Sequence, residues 1–325
     1  MIAKDSNSLK AYVGSTSVSK MYKGDTLVYS SAPPVLPDYL YFTALESGTF
    51  TLTIGSYVST TSLQYIEYSV DEGKTWVKTS NVASTTVTVT TPAVQAGDKV
   101  LWRGEGVRLS QSNSSADARC CVFSATCDFN VGGILMSLVA GADVAESSRT
   151  SSYGFSRLFY GNSHVVDAGE LILPPNTNAN CFDYFFYGCT SLVKGPQMRA
   201  LTITGNYVFR QFYAGCTSLV EAPVLPVLSL VQGCYYQMFM GDKALRWVMC
   251  LATDKSATNC LFQWFTNATN TSEGVFVKHI DATWTTSGVS GVLSNWTIIY
   301  YDPSEDKYYT DQTKTTECDD HGNVV

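Results

Sequence analysis

A motif that recurs every 26 or 27 residues dominates the middle of this 325-residue chain. Its clearest copies read FDYFFYGCTSL at 182–192 and FRQFYAGCTSL at 209–219. Weaker copies begin at Phe155 and Tyr235, and a decayed copy contains Trp264. The first four copies carry a glycine at the same place, namely Gly161, Gly188, Gly215 and Gly241. Self-similarity at this period predicts a solenoid, in which each copy buries its apolar face only against its neighbours.

Within each copy, three large apolar residues stand at relative positions 0, 3 and 4. This spacing predicts one face of a short helical turn, which the glycine ends by adopting a positive φ. A tight turn, a short strand and a return loop are expected to complete the unit. The predicted repeat core comprises Phe159, Phe186, Phe212 and Phe239, together with Gly161, Gly188, Gly215 and Gly241 as turn residues.

Two segments of the repeat carry a family resemblance. FYGCTSL at 186–192 and its echo YAGCTSL at 213–219 resemble BspA-type leucine-rich repeats. These repeats occur in surface proteins of gut Bacteroidales and in proteins of phages that infect them. The resemblance covers about residues 154–296. It implies a short leucine-rich-repeat solenoid displayed on the surface of a cell or a virion.

The pattern of the whole chain predicts a mainly β fold with short helical turns. Residues 1–37 are expected to form an N-terminal β anchor module and a proline linker, and residues 38–130 a β-sandwich, because short alternating strands follow one another there. Residues 131–296 would hold the BspA-like solenoid with its caps. Residues 297–325 would form a C-terminal β-hairpin tail.

The first thirty residues contain a second, smaller repeat. YVGSTSV at 12–18 is echoed by YKGDTLV at 22–28, which predicts a pair of β-hairpins or a small β-wrap. So short a module buries little area alone, so we expect it to dock on another protein through Tyr12, Val18, Tyr22 and Val28. It resembles the short N-terminal module of structural proteins of Bacteroidales phages, crAss-like phages included, which implies a virion partner.

One further motif lies in the expected sandwich. SVDEGKTW at 69–76 resembles the Asp-box of sialidases, a hairpin in which the aspartate ties the turn and the tryptophan packs beneath it. A single copy without an arginine triad argues against a sialidase propeller. The motif is therefore interpreted as structural.

Charge and composition restrict the partners. The net charge is −7 and the lysines and arginines are not clustered, so nucleic acid is not an expected partner. No apolar run is long enough to span a bilayer, and no apolar segment of a signal peptide follows Lys4, so no membrane is expected. Synthesis in a bacterial host cytoplasm would leave the ten cysteines as free, buried thiols rather than disulfides or zinc ligands.

Motifs for chemistry are scarce. His164, His279 and His321 lie far apart and in no nucleophile or metalloprotease motif, so no catalytic, cofactor-binding or metal-binding residue is predicted. The acidic segments 302–306 and 319–322 are interpreted as solvated turns rather than calcium sites, because their spacing does not follow an EF-hand.

The resulting hypothesis is a structural and binding protein of a phage virion, such as a head fibre, a decoration protein or a tail-associated adhesin. It would dock by its N-terminus on other virion proteins (capsid, portal or tail) and present the repeat surface to host surface glycans or proteins. A homo-oligomer, such as the trimer usual for fibres, is compatible with the sequence. The alternative is a bacterial cell-surface leucine-rich-repeat adhesin, followed by a carbohydrate-active enzyme, whose paired carboxylates leave no local signature.

Overall fold

The computed structural model describes residues 39–56, 58, 63–79, 86–111, 119–141, 150–198, 202–268 and 274–325, and the backbone of four short strands between residues 11 and 30. These strands are β1 (Ala11–Val13), β2 (Thr16–Val18), β3 (Lys20–Lys23) and β4 (Thr26–Ser30). β1 pairs with β2 and β3 with β4, both antiparallel, so the predicted pair of hairpins is confirmed. The side chains of Tyr12, Val18, Tyr22 and Val28, and the proline linker, lie outside the described residues.

Two sheets follow the linker. Their strands are β5 (Leu40–Ala44), β6 (Phe50–Ile54), β7 (Leu63–Ser69), β8 (Val77–Lys78), β9 (Val87–Thr90), β10 (Lys99–Gly106), β11 (Cys121–Ala125), β12 (Phe129–Ile134) and β13 (Val165–Ile172). The larger sheet has the order β13-β12-β5-β10-β7-β8, and the smaller one β11-β6-β9. Aromatic side chains join the two sheets, because Phe42 of β5 lies 5.4 Å from Phe50 of β6 and 4.8 Å from Phe123 of β11, measured between ring centroids.

The larger sheet continues into the repeats. β12 spans residue 131, where the solenoid was expected to begin, and pairs in parallel with β13 of the first repeat. Between them lies helix α1 (Ser137–Ala140), which ends at Gly141 with φ 61°. Phe159 of the first repeat touches Phe42 and Phe123, so one apolar core runs from the sheets into the repeats.

The repeats themselves consist of overlapping four-residue turns. We call the five segments of the described chain that share this backbone turn ribbons 1 to 5: residues 151–162, 178–189, 207–216, 231–242 and 257–268. Every second N–H donates to the carbonyl three residues earlier, as Leu158 does to Phe155. The alternate N–H groups donate to the next ribbon, as Phe159 does to Phe185 and Phe186 to Phe212. Ribbons 1 to 4 thus satisfy half of their donors internally and half through the next ribbon, whereas in ribbon 5 the Gln263 N–H donates to the Val289 carbonyl.

The predicted helical turns are wrong. At every fourth residue the backbone takes a positive φ, for example 64° at Arg157, 57° at Tyr184 and 51° at Gln211. A right-handed helix excludes that geometry. Large side chains at positions 0, 3 and 4 point inward from both backbones, so the apolar spacing could not distinguish them.

The glycines that follow the apolar triplets adopt the predicted positive φ. The values are 69° at Gly161, 72° at Gly188, 79° at Gly215 and 84° at Gly241. These glycines also stack: a Cβ on Gly188 would lie 3.6 Å from the Cα of Gly161, and one on Gly215 3.5 Å from the Cα of Gly188. These distances are ordinary van der Waals contacts, so it is the positive φ that disfavours a side chain at these positions.

The residues that follow these glycines form a buried column of small side chains. The Cys189 Sγ donates to the Phe159 carbonyl and the Cys216 Sγ to the Phe186 carbonyl, both at 3.1 Å. All ten cysteines of the chain are free and buried, as the sequence predicted. Burial raises the pKa of Cys189 and of Cys216, which keeps both thiols protonated at neutral pH.

Because none of the thiols is paired, reduction has no bond to break. We expect the melting temperature to be the same with and without dithiothreitol, and native protein to react slowly with iodoacetamide. Thermal unfolding with and without dithiothreitol checks the first expectation. The rate at which iodoacetamide labels the native protein checks the second. A fall in melting temperature on adding dithiothreitol would show that a disulfide contributes to stability.

Asp242 occupies the same column in ribbon 4 and is fully buried. Its Oδ1 accepts the Cys216 N–H at 2.8 Å, while its Oδ2 has no partner among the described residues. Burial raises the pKa of Asp242 well above the usual 3.8. A carboxyl group whose pKa is raised by folding stabilises the fold below the unfolded pKa, and that contribution is lost as the pH rises towards the folded pKa.

Replacing Asp242 by asparagine should therefore stabilise the protein at pH 7 by about 1–3 kcal/mol, because the amide oxygen keeps the hydrogen bond without a titrating group. At pH 4 the two proteins should unfold at similar denaturant concentrations. Urea unfolding at both pH values checks this. An Asp242→Asn variant less stable than wild type at pH 7 would mean that the carboxylate is ionised and paired.

The remaining strands lie behind the ribbons and in the tail. They are β14 (Asn176–Thr177), β15 (Thr202–Ile203), β16 (Trp247–Cys250), β17 (Val275–His279), β18 (Thr297–Asp302), β19 (Lys307–Tyr309) and β20 (Glu317–Cys318). β16, β17 and β18 pair in parallel, and β18 forms the predicted hairpin with β19. The tail thus extends the sheet of the last repeats, and the Trp247 Nε1 donates to the Asp320 carbonyl.

Candidate ligand-binding face

The turn ribbons have an inner and an outer side. Counted from the first apolar residue of each ribbon, positions 0, 3 and 4 are buried in the core, including Phe159, Phe186, Phe212 and Phe239 at 0% exposure. Positions 1, 2 and 5 supply most of the side chains that face away from that core. Because ribbons bond to one another along their length, equivalent outer side chains lie next to each other in space.

Arginine and tyrosine side chains gather on this outer face in ribbons 1 to 3. We call the group the arginine–tyrosine cluster; it comprises Arg157, Tyr160, Tyr184, Tyr187, Tyr207 and Arg210. The Tyr160 and Tyr187 rings stack with centroids 4.9 Å apart and planes inclined by 5°. The Arg157 guanidinium lies 4.3 Å from the Tyr160 ring centroid and 4.7 Å from that of Tyr184. A guanidinium held over ring faces is stabilised by the quadrupoles of the rings.

The second arginine of the cluster forms a buried ion pair. The side chain of Asp183 is completely buried, and its carboxylate accepts hydrogen bonds from the Arg210 Nε at 2.8 Å and from the Arg210 Nη2. Burial alone would lower the pKa of Arg210, but the hydrogen bonds and charge of Asp183 outweigh it and leave the pKa raised. The fork geometry fixes Arg210 between Tyr184 and Tyr207, whose ring centroids lie 5.4 and 5.3 Å from its guanidinium.

Arg157 differs from Arg210 in having no such partner. Its Nε is buried, and no hydrogen bond to it is found among the described residues. The equivalent position in ribbon 2 is Tyr184, and in ribbons 3 to 5 it is glutamine, all with positive φ. Aromatic rings therefore hold the Arg157 guanidinium where a carboxylate holds that of Arg210.

Amides and aromatic rings continue the outer face towards ribbon 5. The Gln237 Nε2 donates to the Gln263 Oε1 at 2.7 Å, and the Gln232 Nε2 to the Tyr207 hydroxyl at 3.3 Å. The Tyr236 ring stacks on Phe262 at 5.3 Å. The face therefore combines half-buried aromatic rings with groups that both donate and accept hydrogen bonds.

The Asp-box motif has the structural role that the sequence predicted. Asp71 accepts the Thr75 N–H at 2.9 Å, and the hydrogen bonds from Thr75 lower the pKa of Asp71 to about 2. The Trp76 Nε1 donates to the Gly73 carbonyl, and its ring packs on Tyr39 at 5.0 Å and under Arg103 at 3.8 Å.

The acidic turn of the tail holds a side chain of the protein itself. The Lys314 Nζ forms ion pairs with Asp302 and, at 2.7 Å, with Glu305. Burial would raise the pKa of Asp302, but hydrogen bonds from Lys314 and Ser304 lower it to about 2. An ammonium group thus occupies the place where calcium was considered.

Near the C-terminus, Asp319, Asp320 and His321 each offer an atom within 4.8 Å of the others. Asp319 accepts N–H groups of His321 and Asn323, both at 2.9 Å, which is the geometry of a closed turn. His164 pairs with Asp128 at 2.9 Å on the surface. The described residues bring none of the three histidines together.

Sequence reasoning missed the arginine–tyrosine cluster because it used only the apolar columns. A signal was present: Asp183 and Arg210 carry opposite charges one repeat apart, and Tyr160 and Tyr187 repeat at the same spacing.

No protein-family model matches this chain, and neither a curated protein nor a solved structure shows a significant match to it. Within the described residues, every helix is too short or too polar to cross a lipid bilayer. The fold and the outer face are therefore the basis of any functional assignment.

Proposed function

We propose that this chain is a structural and binding protein of a phage virion, which docks by residues 1–30 and turns the outer face of its repeats towards a glycan of the host surface. The observation that carries the binding role is the arginine–tyrosine cluster. Tyrosine and arginine are the residues that most often dominate binding energy, and here they are fixed by stacking and by a buried ion pair. The repeat motif's resemblance to BspA-type surface proteins supports the surface location.

A glycan suits this face better than a peptide strand. The backbone N–H and carbonyl groups of adjacent ribbons bond to each other, so little main chain is left for pairing with an added strand. Flat tyrosine rings can stack against the apolar faces of sugar rings. The amides of Gln232, Gln237 and Gln263 offer donors and acceptors for hydroxyl groups.

The docking role rests on the two N-terminal hairpins. Each is a separate two-stranded sheet in the described backbone, and a lone hairpin is at best marginally stable in water. Their strand edges offer main-chain donors and acceptors to another virion protein. A second copy of this chain would also pair with the main-chain donors and acceptors of these strand edges.

Deleting residues 1–30 should leave a folded protein that is absent from assembled particles. Mass spectrometry of purified particles measures incorporation, while circular dichroism of the truncated protein verifies folding. Val289→Ser, a change at an exposed position outside residues 1–30, is the control and should be incorporated normally. Incorporation of the truncated chain at normal copy number would show that the anchor lies outside residues 1–30. Absence of the full chain from particles would favour the alternative, a bacterial cell-surface adhesin.

A further inference from the structure

Arg157 is an arginine of the outer face without an ion-pair partner among the described residues. Its guanidinium contacts the rings of Tyr160 and Tyr184, whose centroids lie 6.4 Å apart, and its buried Nε has no hydrogen-bond partner among the described residues. The carboxylate of the neighbouring ribbon, Asp183, is engaged by Arg210. Of the Arg157 side-chain nitrogens only the Nε is both buried and without a partner in the described part of the chain, so an incoming acceptor would approach the Nη groups.

A carboxylate fits this arrangement best. The guanidinium is planar and presents paired N–H groups that match the two oxygens of a carboxylate. The two rings cover part of the guanidinium and lower the local dielectric constant, which strengthens a charged hydrogen bond.

The stacked rings beside Arg157 indicate which kind of molecule would bear the carboxylate. Tyr160 and Tyr187 present nearly parallel rings 4.9 Å apart, and Tyr160 is 36% exposed. A sugar ring that stacks on this surface would place a carboxylate on its edge within reach of the arginine. An acidic peptide would gain no comparable main-chain pairing, because the ribbons use those groups among themselves.

We propose that Arg157, with Tyr160 and Tyr184, forms a subsite for the carboxylate of an acidic sugar in the host glycan. This inference rests on the proposed glycan-binding function and names its ligand class. Arg157 binds the carboxylate through its guanidinium, Tyr160 and Tyr184 hold the guanidinium by cation–π contacts, and Tyr187 extends the stacking surface.

The chain supplies its own matched variant for a test. Gln211, Gln237 and Gln263 occupy the position of Arg157 in ribbons 3 to 5 with φ values of 51°, 52° and 52°. Arg157→Gln therefore removes the charge and keeps a side chain that this backbone accepts. Arg157→Lys keeps the positive charge but loses the planar guanidinium with its paired N–H groups.

Isothermal titration of the full chain with polygalacturonate, alginate and hyaluronate, each beside its methyl-esterified form, measures the preference for the carboxylate. We expect at least one acid form to bind about 10–100-fold more tightly than its ester, since a charged hydrogen bond contributes about 1.5–3 kcal/mol. Arg157→Gln should abolish the preference for the acid over the ester, and Arg157→Lys should retain part of it.

Three results would overturn the inference. Equal binding of acid and ester by wild type, or an unchanged preference in Arg157→Gln, would remove the carboxylate subsite while leaving the glycan-binding function intact. Binding of poly-glutamate as tightly as the best acidic polysaccharide, with the same dependence on Arg157, would assign the site to an acidic protein. Failure of wild type to bind any of the polysaccharides would remove both the subsite and the proposed glycan-binding function.

Discussion

Replacing Phe212 by alanine is expected to destabilise the protein by about 3–5 kcal/mol. Phe212 lies in the central ribbon with no exposed surface, and its ring is 5.3 Å from Phe185, 5.4 Å from Phe209 and 4.6 Å from Tyr213. The cavity would open between ribbons whose backbones are bonded to each other, so the neighbours cannot close it by moving independently. Urea unfolding followed by tryptophan fluorescence measures the loss.

Tyr160→Ala is the matched control for this substitution. It removes an aromatic ring of similar size from the outer face, where the lost stacking should cost no more than about 1 kcal/mol. A cost for Phe212→Ala no greater than that for Tyr160→Ala would contradict the assignment of inner and outer positions.

Replacing Arg210 by alanine is expected to cost about 3–5 kcal/mol, because it leaves the buried Asp183 carboxylate without its opposite charge. The loss should exceed that of Arg157→Gln, which removes an arginine without an ion pair and should change stability by less than about 0.5 kcal/mol. Thermal and urea unfolding of both variants at pH 7 provide the comparison.

A double variant separates the ion pair from simple packing. Arg210→Met with Asp183→Asn removes both charges while keeping side chains of similar length, and it should recover much of the lost stability. If Arg210→Met is equally unstable with and without Asp183→Asn, the carboxylate is not the cause of the destabilisation.

The sequence predicted which positions of the repeat are buried better than it predicted the conformation of the repeat's backbone. Burial of Phe186 and Phe212 and positive φ at Gly188 and Gly215 follow from residue type and spacing. The local conformation does not, because a helix and a ribbon of overlapping turns both bury positions 0, 3 and 4. The choice between them is made by hydrogen bonds to the next ribbon, which are contacts between residues about one repeat apart.

Long-range pairing also explains the rest of what sequence reasoning missed. The Asp-box at Asp71 was recognisable because all of its hydrogen bonds lie within a few residues. The ion pair of Lys314 with Asp302 and the contact of Arg157 with Tyr184 depend on how separate segments fold together. The parallel pairing of β12 with β13 belongs to the same class.

Binding of the full chain to an array of neutral and acidic glycans tests most directly whether the outer face of the turn ribbons recognises a host glycan. Wild type and Val289→Ser should bind the same set of glycans. The Tyr160→Ala/Tyr187→Ala double variant should stay folded and lose at least about tenfold in affinity, as expected when an aromatic hot spot is removed. Retention of wild-type binding by the double variant, or absence of glycan binding by wild type, would contradict this function of the face.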